Sequence, residues 1–317
     1  MSDVGAIVAR LRLGVGAVVV VALFVRLGSG PFTDGLTLTS RASLLAATVL
    51  TGVTTACCAW RWRLVSRALG VPLGPGAALA AVYRAQFLNA TLPGGVLGDV
   101  DRAAEHARTS RQTGAGLRSV VWERTLGQVV QVAMTLGLLA WATPSVRALG
   151  VRAAAVGALV LVVAVAAGLV ARRSRVVAAT RVDLRRIMAD PRAALGGGLL
   201  SAAAVAGHLT VFLLAAHVAG VRAPMTTLLP VAAVVLLAAA IPVNVAGWGL
   251  REGVAAWAFG SLGIGAGLGL TTSVVYGVMA LVATLPGAVV LAAGRRTATR
   301  RRMRAQPEVL LGQAAHA

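Results

Sequence analysis

Apolar residues run along this chain in blocks long enough to cross a bilayer, and short polar stretches punctuate them. A crossing helix needs ~20 mostly apolar residues. By that measure the pattern predicts six full spans, at about 13–29, 42–60, 117–141, 152–171, 197–219 and 270–293. Two more apolar stretches are interrupted. The first, 76–98, carries Tyr83, Arg84, Gln86 and Asn89 and then breaks at Leu92-Pro93-Gly94-Gly95-Val96-Leu97-Gly98-Asp99. A polar helix over 99–113 follows, with Asp99 placed to cap its start. The second, 226–264, breaks at Ile241-Pro242-Val243-Asn244-Val245-Ala246-Gly247-Trp248-Gly249-Leu250-Arg251-Glu252-Gly253. Its flanks, 226–241 and 254–264, are each too short to cross comfortably. Broken backbone at membrane depth is tolerated only where protein covers it or where it lines a cavity. The units 76–113 and 226–264 are therefore expected to be re-entrant. The fold class is all-α, a polytopic helical membrane protein with about six full spans plus two re-entrant broken-helix units.

Composition agrees. The chain has 317 residues, 58% hydrophobic and only 13% charged, too few charges to cover a soluble domain of this length. Its formal charge of +20 comes from arginine alone, since no lysine is present, and on this apolar background it does not indicate a nucleic-acid partner. Cys57 and Cys58 are adjacent in an apolar run and are expected to pack as small hydrophobes. No metal or haem spacing occurs, and no cofactor is expected. The first apolar run has no A-x-A-like site after it, so it is expected to be an uncleaved span.

Charge orients the chain. With the N-terminus inside and neither broken unit crossing, the segments before 13, at 61–75, 99–118, 172–192 and after 294 are cytoplasmic, and they hold 22 of the 30 arginines. The outer side holds five: Arg26, Arg41, Arg147, Arg152 and Arg222. That is the asymmetry of the positive-inside rule. Trp60-Arg61-Trp62-Arg63 reads as an interfacial collar ending the second span, Gly30 to Ser40 as a polar turn, and Arg172 to Arg192 as a basic loop. Both termini are expected in the cytoplasm, the last segment, 295–317, as a basic tail.

The same pattern predicts an inverted repeat within one domain covering 1–317, with halves at about 10–145 and 150–294. Each half reads as two spans, a broken unit and a span. Three spans separate matching elements, so the second half is upside down. Pro93 and Pro242 stand 149 residues apart. Paired Gly/Pro-interrupted segments in matching positions of two halves point to a midplane transport site.

The candidate chemistry gathers at those breaks. A helix restarts after each, at about Asp99 and about Leu250. A helix N-terminus offers free N–H groups and about half a positive charge, which suits a phosphate. Gly94, Gly98, Gly247 and Gly249 permit close backbone approach. Arg102 and Arg251 lie at the starts of those helices and would add charge-assisted bonds. Arg84, Glu123, Arg124, Arg251 and Glu252 are charges in apolar surroundings, so they are expected to be paired and to face protein or water. Glu123 and Glu252 are expected to neutralise arginines from other elements. The competing account makes these ion pairs purely structural and the Pro and Gly residues mere bends. His208 is expected to be a hydrogen-bonded packing residue, with Trp60, Trp62 and Trp141 anchoring depth. No catalytic constellation, P-loop or metal cluster emerges, so no enzymatic activity is expected.

Tyr83 to Arg108 (YRAQFLNATLPGGVLGDVDRAAEHAR), Glu123-Arg124-Thr125-Leu126-Gly127 and Ile241 to Gly253 (IPVNVAGWGLREG) resemble, in that order, the lysylphosphatidylglycerol synthase transmembrane, or flippase-like, family. The resemblance spans nearly the whole chain. It implies a multi-pass protein of the cytoplasmic (inner) membrane that moves lipids between leaflets. In multidomain relatives this region flips aminoacylated phosphatidylglycerol made by an attached transferase domain, which this chain is expected to lack. Stand-alone relatives are linked to polyprenyl-phosphate glycolipids or envelope assembly. Carried over by position, the implied functional residues are Pro93, Gly94, Gly98, Asp99, Arg102, Glu123, Arg124, Pro242, Gly247, Gly249, Arg251 and Glu252. Leu97 stands where a glycine is usual, Asn244 where a small hydroxyl is common, and Trp248 is bulky between two glycines. Asn244 is kept as a substrate-binding candidate. The expected function is translocation of a phosphate-bearing phospholipid or polyprenyl-linked lipid. The alternative is a non-transporting accessory subunit that presents lipid to a cell-envelope transferase. The expected partners are membrane lipids with an anionic or polyprenyl-phosphate headgroup and, on the alternative, a cytosolic or membrane transferase.

Overall fold

The computed structural model describes residues 21–92, 95–110, 112–150, 174–241, 244–245 and 248–293. Among them the long elements are all helices. A helical stretch at 21–27 leads to α1 (Gly30–Thr37), α2 (Arg41–Ala68), α3 (Pro75–Thr91), α4 (Leu97–Thr109) and α5 (Thr113–Ala140). After 144–150 come α6 (Ser174–Ala189), a π turn (Arg192–Gly196) running into α7 (Gly197–Val218), and α8 (Met225–Ala239). Two-residue strands β1 (Asn244–Val245) and β2 (Trp248–Gly249) pair antiparallel before α9 (Leu250–Ser261) and α10 (Ala266–Ala283), whose helix continues past Thr284 over 285–293.

Three of these helices, Arg41–Ala68, Arg192–Val218 and Ala266–Ala293, are long and apolar enough to cross a membrane. They contain the second, fifth and sixth spans read from the sequence. The chain is a multi-pass membrane protein. The third expected span lies in α5, which is 28 residues long but carries Arg118, Glu123 and Arg124. The fourth lies outside the described residues, as does the first span before residue 21.

Local signals set the ends. Ser40 caps α2 by accepting from the Ser43 N–H at 3.2 Å. The helix stops at Gly70, whose φ of +78° is left-handed, with Val71 N–H bonded back to Ser66. Helix α7 stops the same way at Gly220, φ +81°, with Val221 bonded back to Ala216. These two stops are one instance of a wider recurrence. Helix starts at 41, 75, 97 and 113 are matched by starts at 192, 225, 250 and 266. Helices α2 and α7 pack on one another, and their buried sets correspond: Ala59, Arg61, Trp62, Val65 and Ser66 against Leu209, Val211, Phe212, Ala215 and Ala216.

Three local expectations change. Gly30 to Ser40 holds a helix, begun by Pro31 in its first turn, where a fixed φ and a missing N–H cost nothing. The basic stretch from Arg172 to Arg192 contains helix α6, pinned by buried Asp183, which accepts from Arg118 Nε at 2.5 Å and Trp122 Nε1 at 3.3 Å. The Trp-Arg-Trp-Arg collar is split, because α2 runs on to Ala68 and its faces alternate. Trp60 is exposed with Arg63 stacked on it, while Arg61 and Trp62 are core residues. Trp62 therefore does not mark an interface.

Candidate functional site

The first interruption joins α3 to α4, which fold back on each other as a hairpin. Arg84 of α3 clamps it by pairing with Asp101 and Glu105 of α4. Gly98 lies against the α3 backbone, and a Cβ there would run into the Ala85 carbonyl. Asn89 closes the turn by accepting from the Gly98 N–H at 2.8 Å and donating to Asp99 at 3.0 Å. Asp99 is not the cap, because the helix begins one turn earlier than its position suggests, at Leu97 after Val96. Freed from capping, the carboxylate accepts from Arg124 at 2.6–3.1 Å and from Arg102 at 3.1 Å.

Those arginines lead into a buried network. Arg102 Nη2 donates to Glu123 at 2.8 Å, and Arg61 Nε donates to the other Glu123 oxygen at 3.0 Å. Arg61 also donates to Ser201 of α7 at 3.1 Å, and Arg102 stacks over the Trp62 ring at 4.5 Å. Glu123 is 1% exposed, so it neutralises arginines of two other helices, as its burial demands. Three guanidinium groups meet two carboxylates, leaving the network one positive charge in excess. Only the Arg124 side chain, 48% accessible, opens outward.

The second interruption, between α8 and α9, is more local. The Gly249 backbone is at φ +135° and donates to Glu252 at 2.7 Å across the first turn of α9. Arg251 Nε donates to Glu252 at 2.9 Å and to Ser273 of α10 at 3.0 Å, and its guanidinium lies 5.1 Å from the Tyr276 ring and 5.8 Å from Trp248. Among the described residues Glu252 thus pairs with its own neighbour, Arg251, rather than with an arginine of another element, its carboxylate having turned back to cap the helix. Asn244 forms the β1 pair opposite Gly249. Pro93, Gly94, Pro242 and Gly247 lie outside the described residues.

A cavity of about 190 Å³ is walled by α5, α7, α8 and α10. Gln131, His208 and Tyr276 face it, with Tyr276 Oη 3.4 Å from His208 Nδ1. Ala239 and Ala240, at the start of the second interruption, form part of its wall.

Arg61, Asn89, Ser201, Ser273 and Tyr276 complete these sites and were not singled out by the sequence. Arg61 carried a usable signal. Continued helically past residue 60, it falls on the same face as Thr54, Cys58 and Val65 and so into the interior.

The model of the family described as the lysylphosphatidylglycerol synthase TM region matches residues 7–287. No curated protein matches the chain, and no solved structure does.

Proposed function

The chain belongs to the family of the lysylphosphatidylglycerol synthase TM region, and from that premise we propose that it is a lipid translocase carrying a phosphate-bearing headgroup past the two interruptions while the tails stay in the bilayer. The observation that carries this reading is the Asp99–Arg124 pair. It is the accessible end of an otherwise buried network with excess positive charge, at the tip of a broken hairpin. An arriving phosphate would displace Asp99 from Arg124 and exchange one bidentate partner for another. Gly98, Arg102 and Glu123 hold that pair in place, and Gly249, Arg251 and Glu252 hold the opposite side, with Pro93, Gly94, Pro242, Asn244 and Gly247 kept as substrate-binding candidates on the family resemblance.

The recurrence of helix starts after 150 to 153 residues supports two related halves. With six spans and two re-entrant hairpins the halves are inverted, so the hairpins enter from opposite faces and their tips approach the midplane. The arginine asymmetry supports a reading with both termini in the cytoplasm and the protein in the cytoplasmic membrane. The protein acts as a carrier and not as an enzyme. A second reading, an accessory subunit presenting lipid to a transferase, draws on the exposed Arg181, Arg185 and Arg186 face of α6.

Reconstitution of the purified chain into liposomes tests the proposal. Fluorescent phospholipid and polyprenyl-phosphate analogues should exchange between leaflets faster than in protein-free vesicles. No acceleration for any of them, with a transferase crosslinked in stoichiometric amount from native membranes, would favour the accessory reading instead.

A further inference from the structure

We infer that the central cavity is a headgroup chamber built for an uncharged, hydroxyl-bearing headgroup, and that it turns away cationic, aminoacylated ones. The inference rests on the carrier reading above and specifies its substrate.

Three helices each link an ionic cluster to the cavity by polar residues on one face. On α5, Arg124, Gln128, Gln131 and Thr135 follow at i, i+4, i+7 and i+11, a single stripe. Gln131 lies about 10 Å along the axis from Arg124. On α7, Ser201 bonds Arg61, and His208, two turns on, faces the cavity. On α10, Ser273 bonds Glu252 and Tyr276 meets His208. A polar track thus runs from the first interruption through the cavity to the second.

The chemistry of the track changes along it. Arginine supplies the Asp99 end, where a phosphate would sit. Inside the cavity the described lining contains no arginine and no carboxylate. Its polar groups are an amide, a phenol, an imidazole and a threonine, set among Val205, Leu209 and Leu236. Amide, phenol and imidazole both donate and accept, which matches hydroxyl groups. The side-chain amides of Gln128 and Gln131, both half-buried, make no hydrogen bond to another described residue and are free to meet a ligand or water. A volume of 190 Å³ corresponds to about six waters in the liquid, room for one small polyol. A cation would find no carboxylate on these walls, and Arg61 and Arg124 both act on His208 with positive charge.

Native mass spectrometry of the purified full chain with dioctanoyl phosphatidylglycerol, lysylphosphatidylglycerol and phosphatidic acid tests this. Phosphatidylglycerol should be retained about tenfold better than lysylphosphatidylglycerol, the scale of one or two lost hydrogen bonds. Gln131→Leu and His208→Leu should lower phosphatidylglycerol retention toward that of phosphatidic acid and leave phosphatidic acid itself unchanged. Gln131→Glu should raise lysylphosphatidylglycerol retention. Tyr276→Phe, which removes one hydroxyl only, serves if the leucine variants fail to fold. The inference is overturned if lysylphosphatidylglycerol binds as well as phosphatidylglycerol, if the variants change all three lipids alike, or if none binds. The expected binding pattern without transport in liposomes would sink the carrier reading and leave the chamber standing; transport with indiscriminate binding would do the reverse.

Discussion

At the first interruption Asp99 stands third in α4 and reaches across to Arg124 and Arg102; at the second Glu252 stands third in α9 and turns back onto Gly249. Position and charge match, yet one carboxylate ties helices together and the other finishes its own helix. The neighbouring positions explain the difference. Where α7 has Val211 in its buried set, α2 has Arg61, and where α10 has Tyr276, α5 has Glu123 at the equivalent step. The first region carries an ion pair at these two positions, and that pair draws in Arg102 and, through Asp99, Arg124. The second carries valine and tyrosine there, and its Arg251–Glu252 pair closes locally on Gly249 and Ser273. Similar helix spacing therefore accommodates both an open, charged cluster and a closed, local one.

The largest test of that contrast is Glu123→Gln. It removes the only carboxylate between buried Arg61 and Arg102, and breaking a buried pair from one side costs about 3–5 kcal/mol. Glu252→Gln should cost less, about 1–3 kcal/mol, because Arg251 keeps Ser273 and two aromatic faces. Both are read as thermal unfolding in detergent. Equal losses would mean that the second cluster is as deeply cross-linked as the first.

Next come the two turn glycines, which fail for different reasons. Gly98→Ala should destabilise by about 1–3 kcal/mol through overpacking, since its methyl meets the Ala85 backbone and α4 must move off α3. Gly249→Ala must instead hold φ +135°, a strain of about 1–3 kcal/mol. The distinguishing measurement is crosslinking between cysteines placed on α3 and α4, which Gly98→Ala should weaken and Gly249→Ala should leave intact.

Hydropathy and Gly/Pro punctuation were enough to read the membrane class and both interruptions. That followed from physics that is local in sequence: a helix cannot cross with ten apolar residues, and Pro and Gly end helices wherever they stand. The polar residues that the described interruptions bring together, Asp99, Arg102, Arg251 and Glu252, could be picked out for the same reason. Partners across the fold were not. Arg61 is adjacent to two tryptophans and beside an apolar run, a pattern that fits a membrane interface, and only the packing of α2 against α5 reveals that it faces Glu123. Glu252 was read as a partner for distant arginines, whereas a first-turn carboxylate is already within reach of the helix's own leading N–H. Ser201, Ser273 and Tyr276 carry no signal as single polar residues in apolar helices; their meaning comes from what lies opposite.

Arg124→Gln should have the smallest effect on stability and still separate the two interruptions. Its side chain is half accessible, and a pair of that kind contributes about 0.2–1 kcal/mol. Melting in detergent should therefore hardly change. Leaflet exchange should fall sharply, because Arg124 is the one outward-facing guanidinium in the first network. Arg124→Lys sharpens the point, since lysine keeps the charge but loses the planar fork that grips Asp99 bidentately. If exchange needs only positive potential, lysine restores it. If it needs a forked exchange between Asp99 and phosphate, lysine should behave more like glutamine. The matching Arg251→Gln should lower stability more than Arg124→Gln, because it strands buried Glu252, and should affect exchange mainly through that loss. Reversal of this order would move the open cluster to the second interruption.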